Sequence, residues 1–321
     1  MAYRLELDED VRNGVARCAR EQLDRAVTEL SERVTEDPVG AVHAARKAVK
    51  KERSLLRLVR GAMAPKQRRR ENAALRAAAR ELSAARDAEV MIDTLSRLSE
   101  RYVGQLPEGT FQEIRAQLEQ ARDAQRGQLV ESALRARAVQ ELGAVRVRVE
   151  DWKLRQGGWQ AVEKGLSRSY RDGRSAFARA RSRRSTAALH AWRKRTKDLW
   201  YQERLLGEIC GPAVAGQAKD AHHLADLLGD DHDLGGLRDT LTRGAVHAAA
   251  DLDAVVRLID HRRRQLQTEA FYLGDRVYAE KPKAFVRRMQ RSWTAGRGRA
   301  AAERDQHPGE LAEATRAAHP A

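Results

Sequence analysis

Cysteine is nearly missing from this sequence. Cys18 and Cys210 are the only two, about 190 residues apart, which excludes a disulfide framework and a cysteine-based zinc site. Apolar runs are short, and none approaches the ~20 residues that a bilayer-spanning helix needs. A membrane protein is therefore not expected. The opening segment MAYRLELDED is acidic and carries no apolar stretch, so no signal peptide is expected and the cytoplasm is the simplest address. Aromatic residues make up only 5%, and 7 prolines are spread over 321 residues. β-branched residues are sparse and strand-like alternation is hard to find, which argues against a sheet architecture.

What remains is helix-forming. Ala, Leu, Arg and Glu dominate, all favourable in helices, and the expected fold class is all-α. The length allows two domains or one large one, with enough chain to bury a core. Hydrophobic residues at 42% and charged residues at 33% suit a globular protein with much charged surface and argue against full disorder. Lys and Arg total 61 against 46 for Asp and Glu, a net charge of +15, and the pI is about 10.3. The cations divide into 50 Arg and 11 Lys. Such a chain attracts polyanions: nucleic acid, anionic lipid or polyphosphate.

Breaks are expected at Pro38, Gly61 to Pro65, Gly104 to Gly109, Gly157-Gly158, Gly211-Pro212, Gly235-Gly236 and Gly274, with helices between them. The first helix is expected from Asp10 to Val34, and a second from Asp37-Pro38, with Pro in its first turn. Two blocks recur. Residues 43–57 match residues 190–204 at six of fifteen positions, at an offset of 147. LSAARDAEVMIDTL from Leu82 matches LGDDHDLGGLRDTL from Leu228 at five of fourteen, at an offset of 146. Two blocks at nearly one offset predict a duplicated unit of about 150 residues. The expected division is a first repeat over 1–156, a second over 157–295, and a mobile tail over 296–321 where periodicity fades.

The first block carries the chemistry. At 100° per residue, His43, Arg46, Lys47, Lys50, Arg53 and Arg57 lie within an arc of about 120° on one helix face. Ala44, Ala45, Ala48, Val49, Leu55, Leu56 and Val59 lie opposite, and Glu52 is an exception on that apolar side. His190, Arg193, Lys194, Lys197 and Arg204 repeat the pattern, joined by Tyr201, with Trp192, Leu199 and Leu206 opposite. Like charges at i,i+3 and i,i+4 repel by a few tenths of a kcal/mol per pair. An ordinary solvated face interleaves acids with bases; this one leaves acids out twice at the same spacing. An anionic ligand would relieve the repulsion. Arg would fork onto phosphate oxygens, Lys would supply compact charge, and a bound anion would raise the histidine pKa.

Other chemistries find less support. His222, His223, Asp226, Asp230, Asp231, His232 and Asp233 form a His/Asp cluster in which His222, Asp226 and Asp230 share i,i+4,i+8 spacing. That could suit a metal, and His-Asp also occurs in metal phosphohydrolases, but one dipeptide is weak and no second carboxylate shell can be assembled. The expected set is no metal, no cofactor and no catalytic residue. Neither a nucleophile elbow nor a glycine-rich phosphate loop is present. Nucleic-acid binding is the serious rival. Single-strand binders interleave stacking aromatics with cations, whereas here only Tyr201 falls within the stripes, and no DNA-reading motif stands out. A protein-docking scaffold would need aromatic anchors that the stripes lack.

HAARKAVKKERSLLRLVR and LHAWRKRTKDLWYQERLL resemble the two defining helices of the CHAD family, the histidine-bearing α-helical domain. ARDAEVMIDTL, LLGDDHDLGGL and GLSRSYRDGRSAFARA are supporting blocks, and the resemblance spans about residues 10 to 293. It implies two four-helix bundles related by pseudo-two-fold symmetry around a basic groove or channel. It also implies binding of inorganic polyphosphate without hydrolysis, with phosphate or sulfate as mimics, and association with polyphosphate granules. Some relatives are fused to a triphosphate-tunnel domain with a Glu-x-Glu-x-Lys strand. LELDED lacks that motif, so a stand-alone member is expected. The binding face carried over is His43, Arg46, Lys47, Lys50, Arg53 and Arg57 with His190, Arg193, Lys194, Lys197 and Arg204. Arg171, Arg174, Arg287 and Arg288 follow as second-tier contacts. Where many members have Arg before the Tyr of the second motif, this chain has Trp200, which loses one expected phosphate donor.

Overall fold

The computed structural model describes residues 3–82, 84–126, 130–243 and 251–306. Among these, eleven α-helices account for the architecture, and the one β-type contact is an isolated bridge between Met63 and Leu154. The fold is all-α. Helices α1 (Val11–Ser31), α2 (Pro38–Leu58), α3 (Pro65–Glu81), α4 (Ala84–Arg101), α5 (Glu108–Arg126) and α6 (Val130–Arg148) come first. They are followed by α7 (Gly158–Arg183), α8 (Thr186–Cys210), α9 (Pro212–Thr242), α10 (Leu252–Val277) and α11 (Pro282–Gln306).

Local chemistry accounts for the ends. Asp10 and Asp37 cap α1 and α2, the second by accepting from Gly40 N at 2.9 Å, and Ser185 caps α8. Such caps satisfy amides that lack a partner in the first helical turn. The first helix stops at Ser31, and a short 3-10 turn at Arg33–Thr35 fills the remainder of the expected span. Gly211 leaves the α region at φ 77° and hands the chain to Pro212.

Two expected breaks are not breaks. Gly235 and Gly236 lie inside α9, where Leu234 and Leu237 are buried on either side; their packing outweighs the ~1 kcal/mol that a glycine costs a helix. Gly274 lies inside α10, where a Cβ would meet Phe177 at 2.5 Å and Trp192 at 2.7 Å, so glycine there serves close packing. α11 also continues past position 296 to Gln306, with Gly296 against the Ile209 carbonyl and Arg297 donating to Leu7 O and Glu9 O. Residues 307–321 lie outside the described residues.

The core is continuous and mainly Leu, Val and Ala, with most of its aromatic residues in the second half. Tyr170 stacks on Phe285 at 3.9 Å, and Phe177, Trp192 and Phe271 cluster beside them. The halves are tied together. Leu5 N donates to Leu205 O at 2.8 Å, and Arg97 of α4 pairs with Asp230 of α9 at 2.8 Å. The repeated Leu82 and Leu228 blocks sit differently. The first straddles the junction between α3 and α4, whereas the second lies wholly within α9. One contact fixes the site: α7 crosses the end of α2 at Gly165, where a Cβ would lie 1.7 Å from Leu58 O.

Candidate functional site

The two motif helices meet. Ser54 Oγ of α2 donates to Asp198 O of α8 at 2.9 Å, and Gln202 Nε2 donates to Ser54 O at 3.2 Å. Both side chains are buried. Arg57 pairs with Asp198 at 3.1 Å, and Arg195 reaches the other carboxylate oxygen at 3.4 Å. The cationic arc of α2 is thus partly an interhelical face rather than a solvent face.

The cations of the two helices act on shared neighbours. Lys50 of α2 joins Arg193 and Lys194 of α8 in lowering the pKa of His190, although burial is the largest cause. Lys47 of α2 joins Lys197 and Arg204 of α8 in lowering that of His222, again after burial and against Asp226, which raises it. Arg53 is pushed down to about 10 by burial first and then by Arg57, and it also donates to Asn72 Oδ1 at 3.3 Å. Lys51 was outside the expected set. It is buried, lies 5.3 Å from the centre of the Tyr3 ring, and is pushed down to about 8 by burial and then by Arg204, Arg25 and Lys47. These shifts report desolvated, mutually repelling cations. Among the described residues, Lys47, Arg193, Lys194 and Arg204 have no carboxylate within ion-pair distance.

Apart from Asp198, the acids on these helices add little opposing charge. Glu52 is fully buried and pushed up to about 8 by burial and then by Glu71; Glu203 is pushed up to about 8 by burial. Both are protonated near neutral pH, which accounts for Glu52 on the apolar side of α2. Glu208 is paired with Arg4 at 2.7 Å.

The remaining expected residues are placed as follows. His43 is exposed near the start of α2, and Arg46 donates to the Leu82 carbonyl at the end of α3. Lys197 lies 5.7 Å from the centre of the Trp200 ring, which stacks on His222 at 4.0 Å. A groove of ≈ 550 Å³ at the Arg204 end is lined by Tyr3, Trp200, Lys219 and His222 among others. Arg174 donates to Glu280 O at 3.0 Å and Arg288 pairs with the Glu280 carboxylate at 2.7 Å. Arg288 also acts on Glu203, which lines the groove beside Arg204. Arg287 is exposed on α11. Arg171 is exposed on α7 beside Arg60, Lys164 and Arg168, past the end of α2.

The His/Asp cluster disperses around α9. His222 pairs with Asp226 at 3.4 Å, His223 with Glu269 at 3.3 Å, and Asp231 with Arg263 at 3.0 Å. Among the described residues no group of three or more His, Cys, Asp or Glu is arranged to hold a metal, and no helix is long and apolar enough to cross a membrane. His232 instead stacks on His190 with ring centres 4.1 Å apart. The sequence carried both histidines; the contact between α8 and α9 that joins them had no sequence signal.

The CHAD domain family matches residues 17–242. Two solved structures share the fold. PptA from Streptomyces chartreusis superposes with a TM-score of 0.57 at 15% identity, covering 85% of this chain and 100% of that one. The CHAD domain from the plant Ricinus communis superposes with a TM-score of 0.58 at 18% identity, covering 90% of this chain and 95% of that one. No curated protein matches the chain.

Proposed function

The chain belongs to the CHAD family, and we propose that it binds inorganic polyphosphate along the groove where α2 and α8 meet. The observation that supports this reading most is the sharing of neighbours by cations far apart in sequence: Lys50 with Arg193 and Lys194 around His190, and Lys47 with Lys197 and Arg204 around His222. Positive charge that is already crowded and partly desolvated is stabilised by a string of phosphoryl groups, each offering oxygens to Arg forks and Lys ammonium groups. The reading is one of binding without hydrolysis. The groups gathered at the groove are mainly cations and imidazoles; Glu203 is pushed up by burial, Glu208 is paired with Arg4, and Asp198 is engaged by Arg57 and Arg195. The cytoplasm and its polyphosphate granules are the address that goes with it.

A titration with long-chain polyphosphate at two ionic strengths tests the proposal. Reversing Lys50, Arg193, Lys194 and Arg204 to Glu abolishes binding while far-ultraviolet circular dichroism stays helical. A folded quadruple variant that retains wild-type affinity overturns it. In competition, polyphosphate displaces duplex DNA at equal phosphate concentration; the reverse order would favour a nucleic-acid ligand.

A further inference from the structure

The groove has a third wall. α9 packs along α8, and its His222, Gly229 and His232 fall within an arc of about 80° at 100° per residue. Each meets a residue of α8. His222 stacks on Trp200 at 4.0 Å, and His232 stacks on His190 at 4.1 Å with the planes 29° apart. Between them Gly229 admits Arg193, whose Nη2 would lie 3.2 Å from a Cβ at that position. The Nδ1 atoms of His190 and His232 and the Nε of Arg193 are all buried and make no hydrogen bond. Buried polar atoms are normally satisfied, and three unpaired nitrogens around one stacked ring pair mark a desolvated polar spot beside Arg193 and Lys194 that responds strongly to a nearby anion.

We propose that His190 and His232, with Lys50, Arg193 and Lys194, form a phosphoryl subsite that takes up protons as polyphosphate binds. This rests on the polyphosphate reading and extends it to α9, which the motif helices do not include.

The charged groups facing the ring pair come from several elements. Lys50 belongs to α2, Arg193 and Lys194 to α8, and Asp231 and Asp233 to α9. Asp231 is held by Arg263 of α10, and Arg97 of α4 feels Asp233. Without a bound anion, burial and these cations keep the rings neutral. His190 is pushed down to about 4 by burial, then by His232, Lys194, Arg193 and Lys50. His232 is lowered by burial and then by Arg193, against the opposing pull of Asp233 and Asp231. A phosphoryl group reverses the local field and raises both values. Each imidazole that gains a proton becomes a donor at both nitrogens. The complex then binds more protons than the free protein between the free and bound pKa values, so affinity falls as pH rises through a window that begins near 4 for His190.

Calorimetric titration of the full chain with long-chain inorganic polyphosphate, at about pH 6 in buffers of different ionisation enthalpy, reads the proton count. The wild-type protein takes up protons, and the uptake falls by about half or more in His190→Gln and in His232→Gln; one proton corresponds to up to about tenfold in affinity per pH unit. His232→Phe keeps a stacked ring without a titrating nitrogen and gives the same loss. In the wild-type protein, ¹⁵N shifts of the imidazoles move to the protonated range at saturation. Uptake unchanged in all three variants, or rings that stay neutral in the saturated complex, overturns the subsite while leaving polyphosphate binding intact. Absence of binding at every pH overturns the reading beneath it.

Discussion

Arg57 and Asp198 form an ion pair of 3.1 Å across the meeting point of two helices that lie 141 residues apart in sequence. Asp198 also accepts the charge of Arg195, and its backbone carbonyl receives Ser54 Oγ. One buried carboxylate therefore holds α2 on α8 and, in the same place, offsets part of the charge meant for the ligand.

Asp198→Asn separates these roles. Removing one partner of a buried pair leaves cations uncompensated and costs about 3 kcal/mol, read by urea unfolding. It also deletes a negative charge beside Arg53, Arg57 and Arg195, so the folded fraction binds polyphosphate more tightly than the wild type in a filter titration.

Stability depends on pH through Glu52 and Glu203. Each is raised to about 8 from an ordinary 4.5, so the folded protein holds protons that the unfolded chain releases. Stability is fully present below about 4.5 as far as these groups are concerned, and is lost as pH rises through 8. Calorimetry should show Tm falling between those limits. Glu52→Gln and Glu203→Gln each flatten the slope and raise Tm at the alkaline end.

Gly165→Ala tests the packing that sets the groove. A Cβ at 1.7 Å from Leu58 O forces α7 away from the end of α2, at a cost of about 3 kcal/mol. Polyphosphate affinity falls with it, because the same displacement shifts the end of α2 that carries Arg57, whose carbonyl a Cβ at Gly165 would also meet.

Salt reports the number of phosphates engaged. For a single-stranded polyanion, log K against log salt has a slope of about −0.7 per contact. Lys194→Ala reduces the magnitude of the slope by about one contact. Arg174→Ala and Arg288→Ala leave it nearly unchanged, because both side chains are already engaged with Glu280. These two lower thermal stability instead.

Helix content and the two cationic stripes were legible because both follow from periodicity within a single segment. The relation between segments was not. A helical wheel puts Arg53 and Arg57 on a charged face, but it does not show that Ser54, on the same face, is buried under Asp198. It marked Glu52 as misplaced, since the neutralising effect of full burial belongs to the packed state. Gly235, Gly236 and Gly274 read as breaks because glycine weakens an isolated helix, whereas here tertiary contacts hold α9 and α10 through them. His232 read as part of a separate His/Asp cluster, and only the packing of α9 along α8 carries it to His190.

Trp200 stands where the family resemblance leads one to expect an arginine. Its indole rests between Lys197 and His222, so a change in charge or protonation at either neighbour alters its emission. If polyphosphate enters the groove as proposed, that indole is a built-in optical gauge, and binding can be followed by intrinsic fluorescence with no dye attached.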